Sequence, residues 1–178
     1  MIIYKMHHHG HGPHGPGFGP GYAQGGYGPQ GGHGPQGGQV VQEGQGVIIC
    51  SAVNPNLCLD VNEGSTKDRA RIILFDCSGS DNQIWIRQGN SLVSKKSGKA
   101  LDIEGGEGEG KNIIQFSKNN GANQQFKITV GNSSGVVYIT SPSGLALTVK
   151  NNNIAKREEI VVSKLTGAHN QLFVLKYV

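Results

Sequence analysis

A carboxylate and a pair of amides recur together along the chain at nearly constant spacing. Asp60 lies 23 residues before Gln83, and Asp102 lies 22 residues before Gln124. Each of these glutamines follows an asparagine, so each set combines an acceptor-only carboxylate with two amides that both donate and accept hydrogen bonds. Such a combination offers several hydrogen-bond donors and acceptors. A third set keeps the spacing but has a threonine in the place of the aspartate.

The same landmarks define an internal repeat. Asn82-Gln83-Ile84-Trp85 returns as Asn123-Gln124-Gln125-Phe126 and as Asn170-Gln171-Leu172-Phe173, at intervals of 41 and 47 residues. A Leu-Asp or Leu-Thr pair precedes each motif by a nearly constant distance. Because two landmarks keep their separation through three copies, the pattern predicts three structural units.

Each unit contains four short apolar segments separated by turns rich in Gly, Asn and Ser. None of these segments shows a sustained helical period, so they are predicted to be β-strands. One unit cannot cover its own apolar face, whereas three together can, which indicates an all-β fold with pseudo-threefold symmetry. The predicted strands are 47–53, 57–61, 72–75 and 84–86 in the first unit, 91–93, 100–103, 113–116 and 125–128 in the second, and 136–139, 145–149, 159–162 and 172–175 in the third.

Residues 1–46 differ from the remainder in composition. They hold sixteen of the 29 glycines, five of the seven prolines and six of the seven histidines. Such a segment cannot bury enough apolar surface to offset its chain entropy, so it is predicted to be a disordered, low-complexity tail. Its spaced aromatic residues are typical of segments that self-associate, and a solvated linker is the alternative. Its histidine run lacks the rigid geometry of a metal site, so no metal is predicted.

The charge pattern excludes some partners. The net charge of +4 lies on residues 47–178 and is scattered along them, which does not indicate a nucleic-acid surface. No apolar run approaches the length of a transmembrane segment. The first residues lack the apolar core of a secretory signal, which predicts a cytoplasmic protein and leaves export by a non-standard route open.

Residues 47–178 also contain little that could support catalysis. Their one histidine, His169, leaves few members for a nucleophilic triad. Glu158 and Glu159 are adjacent, so on a strand they would point to opposite faces rather than form an acid–base pair. We therefore expect neither enzymatic activity nor a cofactor.

Residues 47–178 resemble the ricin B-type lectin family, whose fold is the β-trefoil. The resemblance rests on Gln83-Ile84-Trp85, which matches the family's Gln-x-Trp signature, and on two Gln-x-Phe motifs in register with it. It implies a β-trefoil with repeats of about 47–88, 89–133 and 134–178. It also implies a lectin for glycans of the galactose or N-acetylgalactosamine type. The alternative is a trefoil that binds protein, cytoskeleton or anionic lipid and assembles through its tail.

The resemblance further implies which side chains contact the sugar. The aspartate accepts hydrogen bonds from two neighbouring hydroxyls, an aromatic ring ending the third strand stacks on the pyranose, and the asparagine satisfies a remaining hydroxyl. Gln83 and Gln124 would orient the aspartates, and Ile114 would add a backbone or apolar contact. The third unit has Thr148 and Ser163 instead and should not bind. The predicted carbohydrate-binding residues are Asp60, Phe75 and Asn82 in the first unit and Asp102, Ile114, Phe116 and Asn123 in the second.

Two loops are expected to modify these sites. Residues 67–71 carry three cations, which would crowd the first site or favour acidic sugars. Residues 104–110 carry three glutamates among glycines and are expected to be flexible and anionic.

Three cysteines leave at least one thiol unpaired. The family resemblance implies a disulfide between Cys58 and Cys77 in an oxidising environment. Cys50 would then remain as a buried thiol.

Overall fold

The computed structural model describes residues 40–178, which form twelve antiparallel strands in the β-trefoil arrangement, so the predicted fold is confirmed. None of the short 3-10 helices among these residues is long and apolar enough to span a membrane. The strands are β1 (Gly46–Ser51), β2 (Leu57–Val61), β3 (Ile72–Asp76), β4 (Ile84–Gln88), β5 (Ser91–Ser94), β6 (Ala100–Ile103), β7 (Ile113–Phe116), β8 (Lys127–Val130), β9 (Val137–Thr140), β10 (Leu145–Val149), β11 (Ile160–Lys164) and β12 (Phe173–Tyr177).

Residues 40–46, which composition assigned to the tail, pack on the folded unit. Val41 is 1% exposed and belongs to the main core cluster. The backbone amide of Gly44 donates to the carbonyl of Arg87 at 2.8 Å, and the amide of Arg87 donates to the carbonyl of Gln45 at 3.0 Å. These bonds extend the pairing of β1 with β4 towards the N-terminus. The predictions for residues 1–39, a disordered and self-associating tail, lie outside the described residues.

Six strands, two from each repeat, form the central barrel. β1 pairs with β4 and β12, β4 with β5, and β9 with β8 and β12. Trp85, Phe126 and Phe173 are each at most 1% exposed and occupy the core. Burying a large apolar side chain of this kind contributes roughly 2 kcal/mol or more. The aromatic residue of each repeat motif is therefore a core residue.

The barrel is not bonded equally all the way round. Within the described chain, no strand ladder joins β5 to β8. The two repeats meet there through the amide of Phe126, which donates to the carbonyl of Asn90 at 2.7 Å, and through Arg87, whose Nη1 donates to the carbonyl of Phe126 at 2.8 Å. We call this gap between β5 and β8 the open seam.

Three hairpins, β2–β3, β6–β7 and β10–β11, surround the pseudo-threefold axis. The loop that precedes each third strand bonds to the third strand of the next repeat, so loops pass from the first repeat to the second, from the second to the third and from the third to the first. The amide donors and carbonyl acceptors are Arg69 and Gln115 (2.9 Å), Gly110 and Val162 (2.7 Å), and Arg157 and Leu74 (2.7 Å).

The three donors share a left-handed backbone conformation, with φ of 68° at Arg69, 78° at Gly110 and 72° at Arg157. A side chain there costs about 1 kcal/mol, and a Cβ on Gly110 would meet nothing within 4 Å, so the strain would come from the backbone alone. We expect Gly110→Ala to lower the free energy of unfolding by about 1 kcal/mol in urea denaturation. Arg69→Gly should not lower it. Equal losses in both variants would contradict this account.

Candidate functional site

A buried glutamine organises the same loop in every repeat. Gln83, Gln124 and Gln171 are 1%, 0% and 2% exposed. Each side-chain oxygen accepts a backbone amide from the loop that follows the third strand, and each side-chain nitrogen donates to a carbonyl at the end of that strand. The amide donors are Ser78 (2.9 Å), Asn119 (2.8 Å) and Thr166 (2.8 Å), and the carbonyl acceptors are Asp76 (2.8 Å), Ser117 (3.0 Å) and Lys164 (2.8 Å).

In the first repeat, this glutamine and its neighbour hold one oxygen of Asp60. Gln83 Nε2 donates to Oδ2 at 2.7 Å, and Asn82 Nδ2 donates to the same oxygen at 2.9 Å. No described residue donates to Oδ1. Burial raises the pKa of Asp60, while Gln83, Asn82 and the charge of Lys96 oppose the rise. The carboxylate is thus held rigidly with one oxygen free to accept.

Asp60 lines a cavity of about 600 Å³ together with Phe75 and Asn82. This volume is within the range of small-molecule sites. Phe75 is half-buried at the end of β3, and the counterpart of Ile114, Ile73, also lines the cavity. The structure therefore brings together the three side chains predicted for the first repeat.

The third repeat supplies another wall of this cavity. Its loop places Arg157 in the lining, and Lys156 lies over the ring of Phe75, with Nζ 4.3 Å from the ring centroid. Lys156 also forms an ion pair with Asp76. A sugar that stacks on Phe75 must share the ring with this cation. We did not predict these residues, although the repeat register aligns Arg157 with Gly110.

The basic loop of the first repeat does not cover its own site. Asp68 accepts the backbone amide of Ser117 at 2.8 Å, and Gln115 Nε2 donates to the carbonyl of Lys67 at 2.8 Å. These bonds hold the loop against the second repeat. Of the loop's three cations, Arg71 alone lines the first-repeat cavity, so Lys67 and Arg69 do not crowd it. A preference for acidic sugars stays a prediction.

The second repeat has a similar arrangement around Asp102, which is 3% exposed. Gln124 Nε2 donates to its Oδ2 at 2.9 Å. Asn123 Nδ2 donates instead to the carbonyl of the residue after Asp102, at 3.2 Å. Phe116 is half-buried at the end of β7, whereas Ile114 is 2% exposed and has little surface to offer a ligand.

The two aspartates differ in their electrostatic surroundings. Burial raises the pKa of both. Lys96 opposes the rise at Asp60, whereas the carboxylates of Glu104 and Asp68 add to it at Asp102. Nearby charges therefore favour the ionised form of Asp60 and disfavour the ionised form of Asp102.

The third repeat keeps the glutamine without the ligand-binding groups. Thr148 and Ser163 place their hydroxyl oxygens 2.7 Å apart, and Gln171 Nε2 donates to each at 3.1 Å. This repeat has neither the carboxylate nor the ring, in keeping with the prediction that it does not bind sugar. The acidic loop 104–110, expected to be flexible, is tied to this repeat by the Ser141 hydroxyl, which donates to Glu107 at 2.9 Å.

The cysteines gather next to the first-repeat site, since Cys58 lies two residues before Asp60. All three cysteines are free thiols, and the sulfur atoms of Cys50 and Cys77 are 4.0 Å apart. Interaction with Cys58 lowers the pKa of Cys50 to about 6, and burial opposes it. The disulfide between Cys58 and Cys77 stays a prediction. Within residues 40–178, no group of three or more His, Cys, Asp or Glu side chains is placed to hold a metal ion.

Comparison with known proteins identifies relatives of the chain. The family model of the ricin-type beta-trefoil lectin domain matches residues 36–173. The designed threefold-symmetric protein ThreeFoil is 32% identical with a TM-score of 0.68, and the match covers 73% of this chain and 96% of ThreeFoil. The ricin B-like lectin of Macrolepiota procera, solved in complex with lactose, is 18% identical with a TM-score of 0.66, over 76% of this chain and 97% of the lectin.

One curated relative matches a shorter segment. The probable lipoprotein EnvE of Salmonella typhimurium is 43% identical over 44 residues, which is 25% of this chain. The match likewise spans a quarter of the length of that relative.

The shared glutamine geometry gives a testable expectation for stability. Gln171→Ala and Gln83→Ala each remove a buried amide that bonds to the loop, to the end of the third strand and to the second strand, so each should lower the free energy of unfolding by about 1–3 kcal/mol in urea denaturation. His169→Ala, on an exposed neighbour, should have no effect. A loss in the Gln83 variant alone would show that the contact with Asp60, rather than the loop geometry, is what stabilises the repeat.

Proposed function

The chain belongs to the ricin-type β-trefoil lectin family, and we propose that it binds glycans of the galactose or N-acetylgalactosamine type through its first repeat. Carbohydrate binding is the property of the family. The observation that carries the proposal is Asp60: two amides hold one carboxylate oxygen, and the other is free in a cavity shared with Phe75.

Each group of this site matches a part of a pyranose. The free oxygen of Asp60 accepts hydrogen bonds from neighbouring hydroxyls, and its fixed position means that little freedom is lost on binding. The ring of Phe75 contacts the apolar C–H face of the sugar. Asn82 has its side-chain nitrogen engaged by Asp60, and its oxygen accepts from the Ser80 hydroxyl at 2.8 Å, so it acts mainly by fixing the carboxylate.

Two differences favour the first repeat over the second. Lys96 helps to keep Asp60 ionised, whereas Glu104 and Asp68 work against the ionisation of Asp102. In addition, Asp60, Phe75 and Asn82 all line one cavity.

A lectin of known structure with the same fold supports the sugar class. The Macrolepiota procera lectin, which shares this fold, was solved in complex with lactose, a disaccharide that contains galactose. A single shallow site of this kind binds weakly, with Kd of the order of millimolar. Self-association through residues 1–39 would raise the avidity without adding contacts to the site.

Asp60→Asn tests the site directly. The asparagine oxygen can still accept from Gln83 and Asn82, so the fold should be kept, while an amide group replaces the free acceptor. We expect binding of lactose to weaken at least about tenfold, because a charge-assisted hydrogen bond is lost. Asp102→Asn is the matched control in the second repeat and should change binding little. The measurements are a glycan array and a titration with lactose.

The outcomes separate the lectin class from the site. No glycan signal from the wild type at high protein density would overturn carbohydrate binding by this chain. Equal binding by wild type and Asp60→Asn, together with loss in Asp102→Asn, would move the site to the second repeat.

The raised pKa of Asp60 predicts a pH dependence. Protonation removes the charge that strengthens the hydrogen bonds from the sugar hydroxyls, so binding should fall as the pH falls, beginning above the ordinary aspartate pKa of 3.8. Because the folded state holds this proton more tightly than the unfolded state, ionisation of Asp60 costs stability as the pH rises through the folded pKa. Asp60→Asn should therefore gain stability relative to wild type over that window. Parallel stability profiles from pH 3 to pH 7 would contradict the burial argument.

A further inference from the structure

A second cavity, of about 660 Å³, lies at the open seam between the first and second repeats. It shares no lining residue with the first-repeat site. Its volume is within the range of small-molecule sites. Most of its wall is apolar, formed by the side chains of Val41, Phe126, Ile128, Val130 and Pro142.

Arg87 also lines this cavity, although it is only 3% exposed. Its Nη1 donates to the carbonyl of Phe126 at 2.8 Å, and its Nη2 donates to Asn90 Oδ1 at 3.2 Å. Its Nε has no acceptor among the described residues. Since the guanidinium stays charged in proteins, a residue in the wall of the cavity is a buried cation with an unused Nε donor.

The trefoil itself does not require an arginine at this position. Counted from the aromatic residue of each repeat motif, Arg87 corresponds to Ile128 and Leu175. Ile128 belongs to the core cluster, and Leu175 packs against it. A buried charge is unfavourable unless a partner compensates it. The trefoil core therefore does not need an arginine at this position, and the reason for Arg87 is specific to the first repeat.

The charge of the lining has one sign. Arg87 and Lys127 are its charged residues, and no carboxylate is among the residues that line it. Glu43 is the carboxylate whose charge acts on Arg87. Its side chain accepts the backbone amide of Gly89 at 2.7 Å and does not line the cavity. An anion from solution is thus the partner that the lining lacks.

We propose that the cavity at the open seam binds a small amphipathic carboxylate. The carboxylate would pair with Arg87, and the hydrocarbon part would lie against Val130 and Pro142, the exposed apolar side chains of the lining. An inorganic anion would leave these apolar walls wet, and a neutral apolar molecule would leave the arginine without its partner. Val130 is 69% exposed at this cavity, so a ligand would also cover apolar surface that now faces water.

Octanoate and octanol, which share a chain length and differ in charge, test this proposal on the full chain. The binding of each is measured by calorimetry, and the site is located from changes in the backbone amide resonances of Phe126 and Ile128. Arg87→Leu copies the residue type of the third repeat and removes the cation. Lys127→Glu reverses an exposed charge at the same cavity, and Lys67→Glu makes the same charge change in the β2–β3 loop.

We expect octanoate to bind wild type at least about tenfold more tightly than octanol, and Arg87→Leu and Lys127→Glu each to weaken octanoate at least about tenfold. Lys67→Glu should bind as wild type does. Equal binding of octanol and octanoate would overturn the proposal, and so would no octanoate binding at millimolar concentration. If Arg87→Leu does not fold, Lys127→Glu decides: unchanged octanoate affinity in this variant would overturn the carboxylate assignment.

Discussion

In each repeat, one buried glutamine side chain forms hydrogen bonds with a side chain of the second strand, with the end of the third strand and with the loop that follows the third strand. Gln83, Gln124 and Gln171 are each almost fully buried, and leaving such an amide unpaired costs about 1–3 kcal/mol. This requirement explains why the Asn-Gln-x-aromatic motif is intact in the third repeat, where the carboxylate and the ring are gone. The glutamine maintains the loop whether or not the carboxylate and the ring are present.

The threefold arrangement also makes each site a joint product of two repeats. The hairpins converge on one axis, so the loop before a third strand bonds to the next repeat rather than to its own. The loop that reaches the first repeat carries Lys156 and Arg157, and the loop that reaches the second carries Asp68. As a result, the charges near each aspartate come partly from another repeat: Arg157 lines the cavity of Asp60, and Asp68 acts on Asp102. This is a reason why similar sets of residues have different electrostatic surroundings.

Positions where the repeats differ show what the fold leaves open. Thr148 replaces an aspartate without disturbing the glutamine geometry, so the carboxylate is not needed for folding. Arg87 stands where the other repeats have Ile128 and Leu175, so its buried charge is likewise not a demand of the fold. The open seam beside Arg87 is a departure of the same kind, because β1 pairs with β4 in the first repeat while β5 and β8 share no ladder. The three repeats can therefore differ at positions whose side chains or strand pairing the common core does not need.

The family resemblance pointed to Asp60, Phe75 and Asn82, which line one cavity. The sequence by itself determined the number of repeats and the order of the strands. These features follow from alternation and spacing within about forty residues, where local backbone geometry decides the outcome. The tertiary structure alone decided that Val41 is a core residue, that Lys156 covers Phe75, and that the basic loop of the first repeat lies on the second. Such contacts join segments far apart in the chain, as in the pair of Lys156 with Asp76, 80 residues away. Their meeting depends on how the barrel closes, and no local pattern encodes that closure.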